Sequence, residues 1–161
     1  MTIVHLQKGL NCYNPVEKSL QYHLKVEARF GGYFEIPADS YNPWRKQYDP
    51  ERFARTLLRS KEPNANFHLG IVDVDIYALG MNYIFGIANP LLGSAVVSLF
   101  RLTGPRLEER LGKEAIHETG HLLGLTHCDS PRCVMYFSNT IDDTDKKDMS
   151  LCMQCRRKIE E

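Results

Sequence analysis

The sequence has no surplus of charge of either sign. Its 20 lysines and arginines face 20 aspartates and glutamates, a formal net charge of +0, whereas binding to nucleic acid or to an anionic membrane surface draws on a basic excess. Neither is expected as a partner. No apolar run approaches transmembrane length, and no internal repeat or low-complexity stretch occurs. Met1-Thr2-Ile3-Val4-His5-Leu6 reads as a short strand, not as the opening of a secretory signal. The expectation is therefore a cytoplasmic chain, monomeric, and at 161 residues long enough to bury most of its apolar surface in a single domain. Tryptophan occurs once and cysteine only 5 times, so the spacing of the cysteines, more than their number, decides what they do.

What is present is concentrated near the C-terminal end. Residues 117 to 127 read His117-Glu118-Thr119-Gly120-His121-Leu122-Leu123-Gly124-Leu125-Thr126-His127. On a helix, His117 and His121 stand one turn apart on one face, so both imidazoles reach a single ion. Glu118 lies beside them, close enough to act on a water at that ion without ligating it. A straight helix would carry the chain past the metal, and Gly124 supplies the residue type that enters the left-handed conformation at a helix C-terminus and turns the chain back toward His127. Three neutral imidazoles leave a zinc coordination position open, the arrangement of a catalytic site. His-Glu-x-x-His alone is a short motif with a real chance of coincidence; the added Gly124 and His127 make it a named metalloprotease signature.

The cysteines form a second constellation that starts at the next residue. Cys128 and Cys133 flank a short loop, and Cys152-Met153-Gln154-Cys155 is a C-x-x-C, the two pairs being separated by 18 residues. This is the layout of a four-thiolate structural zinc site. Two disulfides, or redox chemistry at the C-x-x-C, also fit the spacing. Cys12 is left over and reads as a small buried or surface residue.

The long signature from His117 to His127, followed by Met135, resembles the metzincin clan of metalloproteases. His127-Cys128, Cys133-Val134-Met135 and Cys152-x-x-Cys155 resemble more narrowly the archaemetzincins, a minimal branch with a second zinc. The resemblance implies that His117, His121 and His127 bind a catalytic zinc, that Glu118 is the general base for a zinc-bound water, and that Met135 lies beneath the metal without ligating it. It also implies a structural zinc on Cys128, Cys133, Cys152 and Cys155. The adjacency of His127 and Cys128 would couple the two sites. By the same resemblance a peptide or protein substrate lies extended along an antiparallel edge strand, either within Asn82 to Ala88 or within Ser94 to Leu102.

Along the chain, residues 2–6 read as a strand, and Asn14-Pro15 opens a helix that runs to about Phe30 and is stopped by Gly31-Gly32. Tyr33 to Ile36 suggests a short strand, Pro37 to Tyr48 an extended loop, and Asp49-Pro50 a helix to about Ser60. Phe67 to Ile76, Asn82 to Ala88 and Ser94 to Leu102 are strand-like, and Pro105 opens the long helix of the signature. This order predicts an α/β (α+β) fold: a mixed, mainly parallel twisted sheet with an antiparallel edge strand, a long active-site helix and a small zinc-bound C-terminal subdomain. The subdomains divide at 1–127 and 128–161.

Other features take plainer readings. The Asp142 to Asp145 run lacks the glycine and distal glutamate of a calcium loop and reads as a solvated turn and helix cap. His5, His23 and His68 read as surface or satisfied core residues, Trp44 as part of a local packing cluster, Tyr136 as a packed aromatic, and Arg156-Arg157-Lys158 as a solvated helix end. Two function classes stand: a zinc peptidase, and a zinc-stabilised module that binds peptides or proteins with little or no proteolysis. The intact Glu118 favours the first, since a binding module has no use for a base at the metal.

Overall fold

The structure, a computed structural model, describes residues 1–60 and 62–161. A five-stranded sheet is built from β1 (Thr2–Gln7), β2 (Ala28–Phe34), β5 (Phe67–Val72), β6 (Gly86–Asn89) and β7 (Ser94–Ser98), in the order β2-β1-β5-β7-β6. All neighbours run parallel except β6, which pairs antiparallel with β7 and forms one edge. The expected mixed sheet is thus present, and the antiparallel edge lies in the earlier of the two candidate runs. Strands β1, β5 and β7 are buried on both faces, which is why they read as near-continuous apolar runs.

One face of the sheet is covered by α1 (Tyr13–Leu24) and α3 (Leu107–Leu122), through Val16, Leu20, Leu111, Ala115 and Ile116 packed on Val4, Leu6, Leu69 and Ile71. The other face is covered by a 3-10 turn (Pro50–Phe53) running into α2 (Ala54–Leu57) and by the chain between β5 and β6, through Phe53, Leu57, Ile76 and Ile84. A small hairpin of β3 (Tyr41–Asn42) and β4 (Gln47–Tyr48) braces that second layer. Arg45 donates to the Met81 carbonyl (2.6 Å), and Gln47 donates to Asp75 (3.1 Å) and to the Asn82 carbonyl (2.8 Å).

Several boundaries differ from the sequence reading. Helix α1 ends at Leu24, because Lys25 takes the left-handed conformation with φ 57°. Gly31-Gly32 does not stop a helix; the pair lies inside β2, where the register against β1 slips between Val4 and Leu6. The loop from Pro37 contains the β3–β4 hairpin, and the helix after Asp49-Pro50 ends at Leu57, with Asp49 capping it by accepting from the Glu51 amide. Trp44 joins no packing cluster and is 96% exposed. It sits in the hairpin turn, where its amide is held by Asn42.

Residues 128–161 carry α4 (Ile141–Lys146) and α5 (Met153–Glu160) and have no core of their own. Cys133, Val134, Met135, Leu151 and Cys155 join the cluster that holds α1 and α3. Helix α4 begins with a capping box in which Thr140 and Asp143 satisfy each other's amides. Thr144 within the acidic run is fully buried, and Asp145 forms a two-pronged pair with Arg110 (2.8 and 2.8 Å). Arg156 is not merely solvated, since it donates to the His23 carbonyl of α1 (3.1 Å). Among the described residues no helix is long and apolar enough to cross a membrane.

Candidate metal and catalytic centre

Helix α3 is buried from Leu111 to Gly120, charged residues included, so the side chains it presents at the site are held by packing all round. It begins at Leu107 with Glu108 and Glu109 in the first turn, where carboxylates favour the positive end of the helix dipole. At the other end Gly124 adopts φ +99°. The Leu125 amide then returns to the Gly120 carbonyl (3.0 Å), and the chain reverses as the glycine's position required. His127 swings back to the helix as a result. The ring centroids of His117, His121 and His127 lie 4.7, 5.3 and 4.8 Å apart in pairs.

The imidazole tautomers follow from their partners. His117 Nδ1 is 2.8 Å from the Val134 carbonyl oxygen, and His121 Nδ1 is 2.8 Å from that of Leu125. A carbonyl only accepts, so both Nδ1 atoms carry the proton and both Nε2 atoms present a lone pair. Those two Nε2 atoms face each other at 3.1 Å. Two opposed lone pairs at that distance repel, and a cation bound between them removes the conflict. Burial holds the protonation of all three histidines below the usual imidazole range, most strongly for His117, which keeps them in the neutral, ligating form.

Glu118 is buried (4% exposed), and burial pushes its carboxyl well above the usual range, aided by Glu114 and opposed by Lys147. Strand β6 passes so near that a Cβ at Gly86 would stand 2.8 Å from Glu118 Oε1. Met135 is fully buried, with its sulfur against Gly120 of α3. Phe137, which sequence reasoning did not single out, packs on His127 with the rings tilted by 41° and their centroids 5.0 Å apart. Glu118, Phe137 and the three histidines line a cleft of about 570 Å³ whose remaining walls, Thr126 apart, are mainly apolar, among them Met81, Ile84, Ile87, Pro90 and Leu125.

The four cysteine sulfurs Cys128, Cys133, Cys152 and Cys155 also converge, all within 4.8 Å of one another, and none is in a disulfide. Cys128 and Cys152 sulfurs are 3.8 Å apart, while four sulfurs at zinc bonding distance in a tetrahedron are separated by about 3.8 Å. Cys152 is drawn down to about 7, chiefly by the backbone hydrogen bond at Cys155. Burial raises Cys133 and Cys155, a cost that a bound cation offsets. Cys128 N donates to the Met135 carbonyl (3.0 Å), which ties the cysteine cluster to the segment carrying Met135. Cys12 lies apart from both clusters, packed against the main core.

With this geometry, comparison with known proteins is specific. The profile of peptidase family M54 matches residues 39–161. The chain belongs to peptidase family M54. An M54-type relative, archaemetzincin of Pyrococcus abyssi, is 50% identical over 109 residues, 62% of this chain and 58% of that protein. The chain thus spans under two thirds of that relative's length. The archaemetzincin of Methanocaldococcus jannaschii is 37% identical over 169 residues, covering 93% of this chain and 92% of that protein. The crystal structure of archaemetzincin from Archaeoglobus fulgidus, complexed with malonate, superposes with a TM-score of 0.80 at 37% identity, covering 99% of this chain and 100% of that one. The likeness to that solved structure therefore extends through β1 to α2 as well as through the motif-bearing end.

Beside the histidine cluster lies a set of buried ions that sequence reasoning missed. Lys147, with no exposed side-chain surface, pairs with Glu114 Oε1 (3.2 Å) and donates to the Tyr136 carbonyl (3.2 Å). Thr144 donates to the same Glu114 oxygen (3.2 Å), and Lys113 donates to the Thr144 carbonyl (3.0 Å). Tyr136 thus contributes its backbone; its ring is half-buried. The signal available in the sequence was the helical spacing of Glu114 and Glu118, four apart, which places both carboxylates on one face of α3.

Proposed function

We propose that this chain is a zinc metallopeptidase that hydrolyses peptide bonds, one catalytic domain over residues 1–161 with a second, structural zinc. The observation that carries the reading is the pair of imidazole lone pairs from His117 and His121 aimed at one point, with the third ring of His127 alongside and Glu118 in the same cleft. His117, His121 and His127 would hold the catalytic ion through Nε2, their Nδ1 protons in two cases fixed by carbonyls so that the rings keep their orientation. Cys128, Cys133, Cys152 and Cys155 would hold the structural ion, and Met135 would floor the site.

When bound, zinc supplies two things: a water acidified to near neutrality and polarisation of the carbonyl under attack. Glu118 removes the proton from the attacking water and returns it to the leaving amine. Burial, which raises its proton affinity, suits a group that must accept a proton and then give it up. Strand β6 offers an unpaired edge along the cleft, and an extended peptide hydrogen-bonded to it would bring its scissile carbonyl to the histidines. The apolar walls of the cleft favour uncharged substrate side chains.

The test combines metal analysis with a peptide library. Two zinc per chain are expected, with cleavage reduced at least about 100-fold by Glu118→Ala. Equal cleavage by wild type and variant would remove Glu118 from the mechanism. A zinc-loaded wild type that binds library peptides and cleaves none would instead make the chain a binding module.

A further inference from the structure

A second, smaller chamber adjoins the cleft and shares its wall at Gly86, His117 and Glu118. It has about 20 Å³ of room for solvent, and its polar lining includes Glu114, Glu118 and Ser138. One water needs roughly 10–15 Å³ and two to four polar partners. Ser138 is 9% exposed, and its Oγ is one of three buried side-chain oxygens with no hydrogen-bond partner among the described residues. Buried hydroxyls are seldom left unmatched. Glu114 receives Lys147 and Thr144 on one carboxylate oxygen, Oε1, so its other oxygen is free to meet the chamber that the residue lines.

We infer that this chamber is a water-binding site in which one ordered water accepts from the Ser138 hydroxyl and donates to the Glu114 and Glu118 carboxylates. A water has two protons to give and a lone pair to receive the hydroxyl, so all three contacts are met at once. The water would bridge two carboxylates stacked one helical turn apart, while the buried ammonium of Lys147, paired with Glu114, offsets part of their charge. It would hold the Glu118 carboxylate in one orientation beside the histidines. Ser138 is then a positioning residue, acting on the base through solvent and touching no substrate.

This rests on the reading of Glu118 as the base, and the experiment separates the two. Ser138→Ala deletes one oxygen and keeps the packing. An unpartnered hydroxyl would be better removed, raising the melting temperature and leaving kcat unchanged; an anchor for the water gives a kcat about tenfold lower, the rate equivalent of one hydrogen bond, with KM and zinc content unchanged. Crystal structures of zinc-loaded wild type and variant, at a resolution that resolves ordered solvent, form the second arm. Density within hydrogen-bond distance of Ser138 Oγ is expected in the wild type. An empty chamber in the wild type, or an unchanged kcat in the variant, overturns the inference. A wild type that cleaves no peptide overturns the peptidase reading instead and leaves the chamber to be judged on the density.

Discussion

At Gly86 strand β6 comes so close to helix α3 that an added Cβ would stand 2.8 Å from Glu118 Oε1 and 2.8 Å from the Val96 carbonyl oxygen. The second contact is backbone inside the sheet and cannot give way, so Gly86→Ala is expected to displace β6 or Glu118, the proposed base. Turnover should fall at least about tenfold while the three histidines keep their zinc, a separation that parallel kinetics and metal analysis would detect. A different residue-level effect belongs to His5 and His68, buried side by side with Nε2 and Nδ1 3.0 Å apart. Burial first, and the neighbouring imidazole second, draw His5 down from 6.5 to about 4. Its folded pKa lies below its unfolded one, so the unfolded chain binds the extra proton: stability is full above about pH 6.5 and is lost as pH falls toward 4. The loss amounts to about 2–3 kcal/mol. Denaturant unfolding of wild type and His5→Gln from pH 7 to 4 should give the steeper slope for the wild type, and equal slopes would refute the coupling.

Among the elements, α3 was the most legible in sequence and α1 the least bounded. The signature on α3 could be read because metal chemistry admits few residue types, and because Gly124 marks the turn that returns His127. The end of α1 could not, since Lys25 carries no mark of the left-handed conformation it adopts, and Gly31-Gly32 looked like a stop while serving a slipped strand pairing. The β6 edge was narrowed to two runs, and only the pairing of β7 with β5 on its other side decided between them, leaving β6 at the end of the sheet. The C-terminal elements carry their own prediction. Helix α5 begins just after Cys152, its N-cap, with Cys155 in its first turn, and rests on the cysteine cluster. Cys155→Ser is expected to leave one zinc per chain and to lower the melting temperature by at least about 5 °C, because metal binding at such a site is folding free energy. Unchanged metal content and melting would disprove a structural zinc there.

Across the whole molecule, the chain after His127 is joined to α3 by ions as well as by apolar packing. Lys147, Glu114, Thr144 and Lys113 form that joint. Charged residues are rarely fully buried, so nothing in the sequence distinguished Lys147 from the exposed lysine beside it; its carboxylate partner, Glu114, is far off in sequence and became visible only in the fold. Lys147→Met leaves the Glu114 carboxylate without its cation and is expected to cost about 3–5 kcal/mol. The double change Lys147→Met with Glu114→Leu should recover much of that in equilibrium unfolding, and failure to recover would mean that the lysine acts mainly through the Tyr136 carbonyl. Strand β6 is also short. Its four residues span roughly 13 Å of extended chain, so the edge can engage only a brief stretch of substrate backbone, and that stretch must be stripped of neighbours before it can pair. A folded protein offers such a stretch only where a terminus frays or a loop melts. If the chain has the proposed peptidase activity, its digestion of a globular substrate should therefore follow the substrate's own local opening equilibrium, accelerating as the substrate's ends fray and stalling on proteins whose ends are tied down.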